Sequence, residues 1–280
     1  MDSLYYENNE ATLTLSQRQT SSHHMPVSHF HGTYEIYYML RGKRQFFIRD
    51  RMMTIGEGDL VIIAPNVLHR TTNADPSEHE RFIINIHEQL FVIDEQYKEV
   101  FRPLWEEDYI VLSDSLQYRQ AIKSIVSALI QEMKEQESGF VLYCQSLAMQ
   151  LLLTCCRYYE QHMLEVPAVT NAMHERMMEV VKYINEHYME KITLAILAEK
   201  FYVSSYYLSR SFKEATGFTF VEYVNSVRIK EAVQLLENTS VKVQWIANRV
   251  GFGSITHFGR VFKEVTGHAP LYFRKSIGNK

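Results

Sequence analysis

The sequence predicts an α+β chain of two domains: an N-terminal β-barrel with a helical segment behind it, then an all-α domain. Three observations lead there. Short β-branched and aromatic runs, separated by turn residues, fill the first 112 positions. Helical spacing takes over from residue 113. One phrase is spelled twice, FKEATG at Phe212–Gly217 and FKEVTG at Phe262–Gly267.

Residues 1–25 are polar and show no clear period. The strand runs are Glu35–Leu40 (EIYYML), Gln45–Ile48 (QFFI), Leu60–Ala64 (LVIIA) and Arg81–His87 (RFIINIH). Arg41-Gly42, Asp50-Arg51 and Gly56–Gly58 supply the turns between them. Two long amphipathic patterns follow, Ser113–Lys134 and Phe140–Met163, a pair that either closes a barrel or builds a dimer interface. Glu165–Thr170 contains Pro167 and reads as a connector. The expected boundaries are therefore 1–112 for the barrel, 113–170 for the helical dimerisation segment and linker, and 171–280 for the helical domain. Within the last, helices are expected near 173–188, 193–200, 204–215, 219–237, 242–249, 254–265 and 270–275. Thr193 and Ser204 are their N-cap candidates, and Gly217 and Gly267 sit where helices should stop.

Composition narrows the class. Hydrophobic residues make up 46% and charged residues 22%, which suits a globular chain and not a disordered one. The three cysteines, Cys144, Cys155 and Cys156, form no disulfide framework. No signal peptide or bilayer-length apolar run stands out, so the expected compartment is the cytoplasm and no membrane partner is expected. The net charge of -4 hides an asymmetry. Residues 171–280 carry 15 Lys and Arg against 10 Asp and Glu, whereas residues 1–170 carry 14 against 23. The C-terminal domain is thus the better partner for a polyanion.

The doubled phrase belongs to a longer repeat. Ile196-Leu197-Ala198 leads to Tyr206-Tyr207-Leu208-Ser209-Arg210 and Phe212-Lys213; Trp245-Ile246-Ala247 leads to Thr256-His257-Phe258-Gly259-Arg260 and Phe262-Lys263. Each copy is a short helix, a turn and a second helix carrying an exposed arginine. Leu208 with Phe212, and Phe258 with Phe262, lie four apart on one face and should be core. Arg210 and Arg260 therefore face elsewhere. This is the layout of a helix-turn-helix unit, whose second helix enters the major groove. Val224, Val227, Ala232 and Leu235 give the intervening helix an apolar side that fixes the spacing of the two units.

At these residues the chain resembles the AraC/XylS family of bacterial transcription regulators. The resemblance covers about residues 173–275: Leu197-Ala198, S-x-x-YLSR-x-FK at Ser204–Lys213, Thr216-Gly217, Arg228-Ile229, A-x-x-LL at Ala232–Leu236, IA-x-x-VGF at Ile246–Phe252, F-x-R-x-FK-x-x-TG at Phe258–Gly267, then Pro270 and Tyr272-Phe273-Arg274. It implies a pair of helix-turn-helix units that bind double-stranded operator DNA and usually activate transcription. The base-reading positions it implies are Tyr206, Ser209 and Arg210 in the first unit, and Ile255, Thr256, Gly259 and Arg260 in the second. Arginine pairs with guanine O6 and N7, and Tyr206 or Ile255 suits a thymine methyl. Lys213 and Lys263 fit phosphate. Gly259 departs from the Ser, Cys or Thr usual in the family, so the second unit is expected to read less sequence.

The barrel carries His29-Phe-His31-Gly-Thr-Tyr-Glu35, with Gly42, Gly58, Pro65, His69 and Asn73 downstream. This is similar to the two cupin motifs, so the barrel is read as cupin-like. The matching metal ligands would be His29, His31, Glu35 and His69, a set suited to a divalent transition metal such as Fe, Mn, Ni or Zn. The same residues can instead hydrogen-bond a ligand, and no metal is required for sensing. Tyr34, Tyr37 and Arg49 complete the candidate ligand pocket. Family analogy points to a small-molecule effector such as a sugar, a homodimer, contact with RNA polymerase, and no enzymatic activity. Two alternatives stay open: a constitutive DNA-binding regulator, and a metal-dependent cupin enzyme fused to a DNA-binding module.

Overall fold

Alternation along Tyr34–Arg41 gives the N-terminal domain its two faces. Tyr34, Ile36 and Tyr38 point to one core, Tyr37 and Met39 to another. The structure, a computed structural model, describes residues 4–8, 12–20, 31–73, 78–90, 95–113, 116–162 and 172–278. The connector expected at Glu165–Thr170 lies outside the described residues.

The strands are β1 (Leu4–Glu7), β2 (Leu13–Thr20), β3 (Tyr34–Arg41), β4 (Lys43–Ile48), β5 (Arg51–Gly56), β6 (Leu60–Ile63), β7 (His69–Asn73) and β8 (His79–Ile86). A short helix α1 (Arg102–Glu106) precedes β9 (Tyr109–Leu112). They form two sheets, β1-β2-β8-β3-β6-β9 and β5-β4-β7. Every pairing is antiparallel. The expected barrel is therefore realised as two facing sheets, without a continuous hydrogen-bonded ring among the described residues. The stretch read as polar and aperiodic contains β1 and β2. Only Leu13 and Leu15 mark the apolar face of β2, because Thr14, Ser16 and Arg18 on its other face line a polar cavity.

Behind the larger sheet lie α2 (Leu116–Glu135) and α3 (Phe140–His162), packed on Tyr34, Ile36 and Tyr38. By length and composition α3 is apolar enough to cross a membrane, yet Cys144, Leu151, Leu152 and Cys155 on it are fully buried in the domain core. That is the pattern of a core helix. Burial pushes the Cys144 and Cys156 thiols up to about 12, which leaves them inert packing groups.

The C-terminal domain is helical throughout: α4 (Ala172–His187), α5 (Leu194–Lys200), α6 (Ser205–Thr216), α7 (Phe220–Asn238), α8 (Val243–Arg249), α9 (Ile255–Thr266) and α10 (Pro270–Gly278). Its boundaries follow from capping. Thr193 accepts from the Ile196 amide at 3.3 Å, and Ser204 from the Tyr207 amide at 3.1 Å. Thr219 and Glu222 form a capping box at the start of α7. The repeated Thr-Gly closes both recognition helices in the same way. Thr216 donates to the Phe212 carbonyl at 2.7 Å, and Thr266 to the Phe262 carbonyl at 2.8 Å. Gly217 and Gly267 then take left-handed φ values of 75° and 80°, which glycine adopts without a Cβ clash. The helix α7 serves both units: Val224 and Val227 belong to the core of the first, Ile229, Ala232, Val233 and Leu236 to that of the second. Arg228 staples α7 to the end of α4, donating to the Tyr188 and Glu190 carbonyls at 2.8 Å each.

Candidate functional site

Inside the N-terminal domain, β3, the approach to it and β7 bring three of the expected ligands together. The His31 Nε2 lies 3.1 Å from Glu35 Oε2, and the His69 Nε2 lies 3.8 Å from the same oxygen. Each imidazole is oriented from behind. The His31 Nδ1 meets the Thr33 carbonyl at 2.8 Å, and the His69 Nδ1 meets the Val67 carbonyl at 2.9 Å. A carbonyl only accepts, so each Nδ1 carries its proton. Both Nε2 atoms then turn toward a carboxylate, an arrangement that calls for one shared positive charge, a proton or a metal ion. Burial alone would raise the Glu35 carboxyl, but the two imidazoles hold it well below the usual carboxylate range. Burial alone would lower His31, but Glu35 raises it.

A cavity of about 370 Å³ opens beside this cluster, lined from β2 by Thr14, Ser16 and Arg18 and from β8 by Arg81, Ile83 and Asn85. His31 and Glu35 belong to its wall. Tyr37 is fully buried between the sheets near Arg44 and Arg81, and burial raises its hydroxyl to about 12. Of the expected pocket residues, Tyr37 and His69 are not among those lining the cavity, and two more sit elsewhere. Tyr34 points to the opposite face of β3, where its hydroxyl donates to the Leu104 carbonyl at 3.2 Å. Arg49 lies in the β4–β5 turn, exposed and paired with Asp108. His29 lies outside the described residues. Arg81 and Asn85 were missed by motif reading because neither belongs to the cupin pattern; their alternate positions on β8, facing Thr14, Ser16 and Arg18 across the ladder, carry the signal.

On the C-terminal domain, Tyr206, Ser209, Arg210 and Lys213 are all exposed on α6. Ile255, Thr256, Arg260 and Lys263 are exposed on α9, and Leu208, Phe212, Phe258 and Phe262 are fully buried behind them. Gly259 stands among these exposed residues, and a Cβ there would meet nothing within 4 Å.

Two family models match this organisation. Residues 11–152 match the AraC-like ligand binding domain, and residues 197–276 match a helix-turn-helix domain. The chain belongs to the AraC family. It is a DNA-binding transcription regulator with an N-terminal ligand-binding domain. Among its relatives is an uncharacterized HTH-type transcriptional regulator of Bacillus subtilis, YdeC, 26% identical over 251 residues that cover 88% of this chain and 85% of YdeC. The HTH-type transcriptional activator RhaS of Escherichia fergusonii is 25% identical over 238 residues, covering 85% of this chain and 78% of RhaS. A crystal structure of ToxT from Vibrio cholerae, 16% identical, covers 96% of this chain and 98% of its own with a TM-score of 0.42.

In this AraC-family chain the sensor and the first helix-turn-helix unit share a core. Phe47, Met52 and Leu68 of the smaller sheet pack with Phe212, Phe218 and Tyr223. The Arg70 guanidinium lies 5.0 Å from the Phe218 ring centre and 3.8 Å from the Glu222 carboxylate. The Tyr223 hydroxyl donates to the Arg49 carbonyl at 3.2 Å and contacts Asn185 Oδ1 at 3.0 Å. Arg49 thus belongs to the seam between the domains, as its place in the wall of a second cavity there also shows.

Proposed function

We propose that the chain is an effector-responsive activator of genes for a sugar or related metabolite, working as a cytoplasmic homodimer on operator DNA. One observation supports this reading: β7 sets His69 against Glu35, a residue of the cavity wall, and the next residue, Arg70, against the first helix-turn-helix unit. Successive strand residues point to opposite faces. A ligand that shifts His69 therefore acts on the strand that holds Phe218 and Glu222. The ligand changes DNA binding to the extent that it binds the docked and undocked states unequally. Exposed Val141, Leu142 and Tyr143 at the start of α3 supply an apolar surface for dimerisation. Once two modules sit on adjacent half-sites, contact with RNA polymerase completes activation. Tyr206, Ser209, Arg210, Ile255, Thr256 and Arg260 read bases in this scheme, with Lys213 and Lys263 on phosphate.

The test is selection of genomic DNA fragments by the purified protein across a salt series, with Arg210→Ala and Arg260→Ala alongside. An enriched motif lost in both variants is the expected result. Equal retention of random DNA, falling only with salt, would sink the operator reading. Operator affinity and geometry unchanged by the metabolites of the neighbouring genes would sink the effector part.

A second reading of the His31–Glu35–His69 cluster is favoured by its back-bonded imidazoles. The three donor atoms lie within 4.8 Å of one another, and two imidazoles with a carboxylate suit a divalent transition metal. Such an ion would supply the shared positive charge and orient the cavity wall. Elemental analysis of protein purified without chelator, beside His69→Ala, decides it. Stoichiometric metal lost in the variant supports a metal centre, and metal-free wild type leaves the proton as the shared charge.

A further inference from the structure

We propose that the effector is an anionic polyol, its acid group held by Arg81 and Arg18 and its hydroxyls by Glu35 and Asn85; this rests on the effector-sensing reading above and names the chemistry that the cavity selects.

Arg81 is 2% exposed and has no carboxylate partner among the described residues. Its Nη1 donates to the His79 Nε2 at 2.9 Å, and its Nε is buried with no acceptor among the described residues. A neutral imidazole satisfies one donor but leaves the charge uncompensated, and a buried unpaired charge is costly. Arg18 stands directly opposite Arg81 in the β2–β8 ladder, and both line the cavity. Like charges directly across a ladder repel. Arg44, fully buried on the facing sheet, adds a third cation; burial pulls it down to about 10 and the charge of Arg81 adds to that pull. Among the described residues lining the cavity Glu35 is the one acid, and its Oε2 already faces His31 and His69. The cavity is therefore electropositive at its Arg81 end. Arginine forks bind carboxylate and phosphate oxygens bidentately.

The opposite end has the reverse need. Asn85 Oδ1 and Glu35 Oε1 are buried acceptors with no donor among the described residues, and the two residues are cross-strand neighbours in the β3–β8 ladder. Both accept and cannot be satisfied by an anion. Hydroxyl groups supply the missing donors, with Thr14 and Ser16 beside them on the wall. Asn85 lies four positions beyond Arg81 on β8, about 13 Å of strand, part of which the arginine side chain spans. Among the described residues lining the space, Ile83 is the one aliphatic. A small molecule with an acid group at one end and hydroxyls at the other satisfies both ends. A neutral sugar leaves the arginines uncompensated, and a fatty acid leaves the acceptors unpaired.

Calorimetric titration of the full chain without DNA tests this. The probes are galacturonate, glucuronate, galactonate and gluconate; galactose 6-phosphate and glucose 6-phosphate; galactose and glucose; and acetate and inorganic phosphate. The expected result is binding by at least one sugar acid or sugar phosphate, at least tenfold tighter than the neutral sugar or the bare anion. Which arm binds tells carboxylate from phosphate. Arg81→Met should weaken that binding roughly tenfold to a hundredfold. Because Arg81 is buried, Arg18→Ala at the exposed mouth gives a second reading that folding does not confound; it should also weaken the acid and leave neutral sugars unaffected. Three outcomes overturn the proposal: a neutral sugar binding as tightly as its acid, an acid binding Arg18→Ala undiminished, or no acid or phosphate in the panel binding at all. The first leaves effector sensing intact, since a ligand still binds. The response of operator affinity to whichever ligand binds is measured separately and tests sensing itself.

Discussion

The two helix-turn-helix units repeat each other through the recognition helix and part company one residue after it. Phe218 follows Gly217, whereas His268 follows Gly267. Continuing in step, Glu222 corresponds to Tyr272 and Tyr223 to Phe273. All three first-unit residues touch the sensor. Phe218 packs on Phe47 with ring centres 5.6 Å apart, Glu222 faces Arg70, and the Tyr223 hydroxyl reaches the Arg49 carbonyl. The core of the second unit includes no residue before Tyr188, and His268 is exposed. The difference teaches where two copies of one module acquired different jobs. The helices and their Thr-Gly stops stayed alike because DNA and capping demand it. The turn beyond them changed in the copy that docks.

The largest test of this contrast removes the docking ring. Phe218→Ala should cost about 3–5 kcal/mol of unfolding free energy, the range for deleting a fully buried phenyl ring. His268→Ala should stay within about 0.5 kcal/mol. Denaturant titration of the full chain reads both. A small loss at Phe218 would mean that the seam is open in solution and the two units are equivalent there.

Next in size is the reading of DNA. Loss of either arginine should remove about 1–3 kcal/mol of discrimination at one base pair. The unit that keeps Tyr206 and Ser209 beside its arginine should specify more of the operator than the one with Ile255 and Gly259. Motifs selected by the wild type, Arg210→Ala and Arg260→Ala show this directly: the half-site degraded by Arg210→Ala should be the longer. Equal information in both half-sites would show that backbone contacts or DNA shape carry the second unit's specificity.

Parts of this were legible in the sequence and parts were not, for physical reasons. The helical domain was readable almost to the residue because capping is local: Thr193, Ser204, Gly217 and Gly267 act through neighbours a few positions away. The His31, Glu35 and His69 cluster was readable through the resemblance to the cupin motifs, since these residues come from the approach to β3, from β3 and from β7 and no single strand's period joins them. The strands β1 and β2 were not, since a strand lining a polar cavity shows too few apolar residues to reveal its period. Tyr34 and Arg49 were placed in the pocket by residue type alone; the face of β3 and the turn after β4 decide otherwise. Arg81 gains its meaning from Arg18, which stands opposite it only once β2 and β8 have paired. The break in the repeat at Phe218 was visible in the letters, but its cause was not, because the partner residue Phe47 lies 171 positions earlier in the chain (218 − 47).

A smaller effect separates the two stopping glycines. Alanine at either position forces a left-handed residue, at about 1–2 kcal/mol. At Gly217 a Cβ would also lie 3.0 Å from the Thr72 methyl and 3.2 Å from the Arg70 side chain, whereas at Gly267 it meets nothing within 4 Å. Gly217→Ala should therefore be the more destabilising of the pair. Equal losses would place the sensor sheet farther from the first unit than the shared core requires.

The smallest effect has the opposite sign. Gly259 sits in mid-helix on α9, where Ser209 sits on α6. Glycine there costs about 1 kcal/mol relative to alanine, and the space for a Cβ is empty. Gly259→Ala should thus raise stability by roughly 0.4–1 kcal/mol, read as a higher denaturant midpoint with unchanged slope. A lower midpoint would mean that the helix backbone at Gly259 is not regular. DNA binding gives the measurement its second edge. If the stabilised variant binds operator as tightly as wild type, Gly259 is simply a weak position in a unit that reads few bases. If it gains stability and loses affinity, the missing side chain is itself the contact: a gap that lets the α9 backbone approach the groove more closely than Ser209 allows α6 to do.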